Sequence, residues 1–161
     1  MSTMTASALI ADLPTHELFA VYGALQAELK RRDITSSTNI IEGVGEHIGL
    51  GMYGGQLIRT SAAGMVLTTP SGTRIQMRTR TSGGPDYRRS FPVDPSGYFE
   101  FHVFLVIDPE TFRPVLARRV GRARVLELLR RERRLSLAHV RDEGEDVLAE
   151  AVAAWEFAGR F

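Results

Sequence analysis

Residues 41–80 read IEGVGEHIGLGMYGGQLIRTSAAGMVLTTPSGTRIQMRTR, and the spacing of their apolar positions changes halfway. Ile41, Val44, Ile48 and Met52 recur every three to four residues, the spacing of one helix face. This helix is expected despite Gly43, Gly45, Gly49 and Gly51, each of which costs about 1 kcal/mol relative to alanine. Close backbone packing against a neighbouring element is the simplest offset. After Gly54 and Gly55 the period becomes two. Leu57 to Arg59, Met65 to Thr69 and Arg74 to Thr79 read as short strands, the last two joined through Pro70-Ser71-Gly72. A helix followed by a meander of strands sets the fold class.

On the N-terminal side, Pro14 to Arg32 carries Leu18, Phe19, Tyr22, Leu25 and Leu29 at helical spacing, with Lys30, Arg31 and Arg32 at the negative end of the dipole. Residues 1–12 are small and read as a flexible N-terminus, leaving 13–161 as one domain. Downstream, Tyr98 to Ile107 is the strongest strand, fully apolar from Val103 and so expected at the centre of a sheet. Val115 to Val120 reads as a strand, Arg122 to Arg133 as a helix, Leu135 to Val140 as a short strand and Asp142 to Phe157 as a last helix, its acids complementing the dipole. The order predicts an α/β sandwich around a mixed β-sheet flanked by helices.

Composition narrows the chemistry. The 161 residues include no cysteine, which excludes disulfides, thiolate metal sites and a cysteine nucleophile. The most apolar segment, Phe101 to Ile107, is too short to span a bilayer, and the N-terminus lacks the pattern of a secretory signal, so a cytoplasmic protein without membrane contact is expected. Net charge is only +1, but it is unevenly placed. Residues 113–134 hold nine arginines against Glu127 and Glu132, whereas residues 141–161 hold six acids against Arg141 and Arg160. The two segments can neutralise each other on folding. His16, His47, His102 and His139 show no metal-ligand spacing, and Gly83-Gly84-Pro85 lacks the lysine of a phosphate loop.

Strand alternation places Arg74, Gln76, Arg78 and Arg80 on one face, opposite Ile75, Met77 and Thr79. Such a row suits a polyanion, and Arg88-Arg89 in the next loop extends it. The competing reading is a solvated strand face paired with Glu42, Glu46 or Glu100.

The helix VYGALQAELKRRDI, the segment IEGVGEHIGLGMYGGQL, the following SAAGM and the strand IQMRTR resemble a family of small bacterial PD-(D/E)xK restriction-endonuclease-like proteins over Val21 to Arg80. In that family the second helix supplies a glutamate, a Gly-Tyr-Asp supplies the metal-binding aspartate, and Gln/Glu-x-Lys supplies a further ligand and the lysine. Those positions fall here on Glu46, Val66, Gln76 and Arg78. The resemblance therefore implies the nuclease fold with a degenerate centre, because valine offers no lone pair to Mg²⁺ and a guanidinium stays protonated. It implies a catalytically inactive module with no cofactor that binds nucleic acid, DNA before RNA, through an arginine-lined cleft formed by Arg74, Gln76, Arg78, Arg80, Arg88 and Arg89, within a defence or restriction assembly. Two alternatives stand beside it. One is a pseudo-nuclease scaffold that forms a homo-oligomer or pairs with another protein. The other, least favoured, is an active Mg²⁺-dependent nuclease in which a loop carboxylate such as Asp86 replaces the missing ligand.

Overall fold

The computed structural model describes residues 5–34, 39–60, 64–83, 90–132 and 134–157. The N-terminal half opens with helices α1 (Ala6–Ile10), α2 (Thr15–Arg31) and α3 (Ile40–Tyr53), followed by strands β1 (Gln56–Thr60), β2 (Gly64–Thr68) and β3 (Arg74–Thr81). The second half runs β4 (Ser90–Phe91), β5 (Phe101–Ile107), β6 (Pro114–Gly121), α4 (Arg122–Arg131), β7 (Leu135–Ser136), α5 (Leu137–Asp142), β8 (Glu145–Asp146) and α6 (Leu148–Phe157).

Six strands form one mixed sheet in the order β1-β2-β3-β5-β6-β8, and β4 pairs with β7 separately. The meander β1-β2-β3 is antiparallel, as the turn at Pro70-Ser71-Gly72 requires, with Gly72 at φ 88°. β3 then runs parallel to β5, Ile75 opposite Phe101 through Thr81 opposite Ile107. A parallel neighbour needs a crossover, and residues 82–100 supply it. Every residue of β5 after Phe101 is buried, the expected signature of a central strand covered on both faces.

Alternation along β5 divides the core in two. Val103, Leu105 and Ile107 pack with Ile75, Met77, Leu67 and Ile48 beneath α3 and α6. Phe104 and Val106 face the other way, into Phe91, Phe99, Val120, Val125 and Val140 beneath α4, α5 and the crossover. The sheet is thus layered between helices on both faces.

The glycines of α3 explain how closely it lies on the sheet. A Cβ on Gly45 would collide with Oγ1 of Thr79, one on Gly49 would fall 2.9 Å from the sulfur of Met77, and one on Gly51 3.0 Å from Cβ of Ala154 in α6. Backbone contact at these points replaces side-chain packing, the offset that the glycine-rich sequence requires.

Two expectations are corrected. Residues 135–140 are not one strand: only Leu135 and Ser136 pair with β4, and the Ser136 hydroxyl then accepts from the backbone N–H of His139 to start α5. The last helix does not begin at Asp142, which instead ends α5. Glu145 and Asp146 join the sheet edge opposite Arg119 and Arg118, and Asp146 Oδ1 caps α6 by accepting from Leu148 N–H at 3.0 Å. Within residues 1–12, the turn Ala6–Ile10 is helical and capped by Thr5, with every side chain exposed.

Candidate functional site

β3 is longer than its neighbour. Among the described residues it pairs with β2 from Arg74 to Met77 and with β5 from Ile75 to Thr81. Beside the Arg78 to Thr81 end of β3 lies a cavity of about 330 Å³ lined by Arg78, Arg80 and Arg134, by Glu42, and by Asn39 and Ile41 at the N-terminus of α3. Three elements build it. Strand period two sets Arg78 and Arg80 side by side, Arg134 stands just before β7, and Asn39 caps α3 by accepting from Ile41 N–H at 3.1 Å. Met65, Met77 and Thr79 also line it.

Arg78 and Arg80 are both partly buried. Burial and the neighbouring Arg80 charge hold the Arg78 guanidinium below its ordinary value, and the Glu42 carboxylate works against them. Both arginines stay charged at any working pH. Three guanidiniums, one carboxylate and the positive end of a 14-residue helix dipole therefore leave a concave site with net positive potential. An anion with several acceptor oxygens matches it, because each guanidinium offers a planar fork of donors.

The remainder of the expected row is divided. Gln76 is 1% exposed and sits between Val66 on β2 and His102 on β5, its direct cross-strand partners. Val66 and Gln76 line a smaller cavity of about 120 Å³ with Ile58, Arg74, Asp94 and Tyr98, where the Arg74 guanidinium lies 5.9 Å from the Tyr98 ring centre. The four arginine-row positions thus serve two sites: Arg78 and Arg80 in the larger cavity, Arg74 and Gln76 in the smaller. Arg88, Arg89 and Asp86 lie outside the described residues.

Glu46 is 6% exposed on α3, the helix layered on the Met77 and Thr79 side of the sheet, whereas Val66 and Gln76 face the opposite side. The α3 carboxylate that lines the Arg78 cavity is Glu42, one turn earlier. The positions of the resemblance do not fit Mg²⁺: valine has no donor, Gln76 is neutral, and Arg78 brings like charge. Among the described residues no three His, Asp or Glu side chains converge where they could hold a metal ion.

The sequence places Arg134 in a basic segment without linking it to Arg78, since nothing in linear order brings residues 56 positions apart together. The asparagine and glutamate at the start of the glycine-rich helix are the available signal, because a helix N-terminus beside a row of arginines marks an anion site. No helix among the described residues is long and apolar enough to cross a membrane. No protein-family model matches the chain, and no curated protein matches its sequence.

Proposed function

We propose that the protein is a catalytically silent, restriction-endonuclease-like module that binds nucleic acid, DNA before RNA, through the arginine cavity beside the C-terminal end of β3. One observation carries this reading: Arg78, Arg80 and Arg134 converge with the N-terminus of α3 on one cavity. The layered mixed sheet, with the glycine-rich helix packed on the strand meander, is consistent with the nuclease-like sandwich that the sequence resembles. Guanidiniums in this arrangement read phosphate oxygens rather than base edges, so affinity is salt-dependent and largely independent of sequence.

The test is fluorescence anisotropy with labelled duplex and single-stranded oligonucleotides across a salt series. Arg78→Ala with Arg80→Ala is expected to weaken binding, and the slope of log K against log salt falls by about 1 for every phosphate that the variant no longer neutralises. Plasmid incubated with Mg²⁺ or Mn²⁺ is expected to remain intact. Unchanged retention in the double variant would refute the nucleic-acid reading, and cleavage abolished by Glu46→Ala would refute the silent one.

A further inference from the structure

α2 is 17 residues long and none of them is buried. Phe19 is 72% and Leu25 53% exposed, and Leu18, Val21 and Tyr22 are exposed beside them. An isolated helix of this length is marginal in water, because helices in proteins draw most of their stability from a packed apolar face. Gly23, in the middle of α2, weakens it by about a further 1 kcal/mol relative to alanine. The apolar face of α2 therefore needs a partner.

The sequence of the face indicates which. Leu18, Tyr22, Leu25 and Leu29 are spaced four, three and four apart, the seam of a two-helix coiled coil. That seam is self-complementary about a point between Gly23 and Ala24. An antiparallel second copy sets Leu18 against Leu29 and Tyr22 against Leu25, each pair occurring twice, as a two-fold interface requires. Charge selects this orientation. Arg31 and Arg32 both bridge Glu28 within the helix, so that end is basic by three cations against one carboxylate; a parallel pair would bring it against its own copy, whereas the antiparallel pair lays it beside Glu17 in the first turn. It also opposes the two helix dipoles.

We infer that α2 is a homodimerisation helix that pairs antiparallel with α2 of a second copy of this chain. The interface is separate from the arginine cavity, so the dimer and the nucleic-acid site stand or fall independently.

Sedimentation velocity from nanomolar to high micromolar protein is expected to show a monomer–dimer equilibrium. Leu25→Arg should make the protein monomeric without lowering the melting temperature of the α/β body, since no α2 residue is fully buried and Leu25 itself is half exposed. Gly23→Ala lies away from the seam, where an added Cβ meets nothing within 4 Å, and should leave the dimer intact. Arg78→Ala with Arg80→Ala should leave it intact too. The cysteine-free sequence allows orientation to be read directly. Leu18→Cys with Leu29→Cys should give a disulfide-linked dimer on oxidation, because the two positions of one helix are about 16 Å apart and cannot bridge each other. Leu18→Cys alone should not cross-link. A protein monomeric throughout, a Leu25→Arg variant still dimeric, or cross-linking by Leu18→Cys alone would each overturn the inference.

Discussion

His102 shows how far a single residue departs from its ordinary chemistry. Its ring is fully buried, stacked on Phe104 at 4.0 Å between centres and edge-on to Phe99 at 5.9 Å. Burial, reinforced by the Arg78 charge and opposed by a backbone hydrogen bond at Val103, pushes its pKa down to about 3. The unfolded chain takes up this proton near pH 6.5, and the folded chain does not until about pH 3. The folded state is thus fully favoured above pH 6.5 and loses stability as pH falls from there to about 3. His102→Phe is expected to flatten this acid limb in urea unfolding measured from about pH 7 to pH 4. A limb of unchanged slope would show that His102 does not titrate on unfolding. In the sequence, the lack of ligand spacing separates this histidine from a metal site. Its burial follows from the apolar run read at Tyr98 to Ile107, of which Phe101 to Ile107 forms β5, but its stacking depends on which face of that strand meets the crossover.

α3 is the element whose logic is most visible in the sequence. Its glycines are destabilising unless another element approaches their backbone, and Thr79, Met77 and Ala154 supply that approach. Gly45→Ala would gain about 1 kcal/mol of helix propensity, but its Cβ would collide with Thr79 Oγ1. Overpacking of this kind costs roughly 1–3 kcal/mol, so a net loss on the order of 1 kcal/mol is expected in denaturant unfolding. Gly45→Ala with Thr79→Ala should recover most of it. The elements after Arg134 are poorly legible. Two-residue strands are fixed by what they pair with rather than by their own periodicity, and Leu135, Ser136, Glu145 and Asp146 are placed by β4 and β6.

Across the whole molecule, the uneven charge resolves into paired surfaces. Arg124 grips Glu143 through two hydrogen bonds of 2.8 and 2.6 Å, Arg119 donates to Glu145 at 2.6 Å, and Arg118 lies 3.5 Å from Asp146. The basic segment is therefore divided: its first part binds the acidic stretch that follows, and Arg134 lines the cavity with Arg78 and Arg80. The Arg124 hydrogen bonds hold the Glu143 carboxyl below its usual value. The stabilisation they give is complete above the ordinary carboxylate range and fades as pH falls through the lowered value. Glu143→Gln is expected to lower the melting temperature slightly at about pH 7, with the difference shrinking in acid and oligonucleotide retention unchanged. Loss of retention would mean that this pair positions the nucleic-acid surface. Linear charge counting shows that the two segments can neutralise each other. It cannot show which arginine pairs with which acid.

The close approach of Gly51 to Ala154 joins parts of the chain about a hundred residues apart in sequence. At about 5–20 residues per second, a ribosome finishes α3 roughly 5–20 s before it makes the helix that packs beside it. Until α6 is made, the face of α3 that it covers has no α6 to pack against.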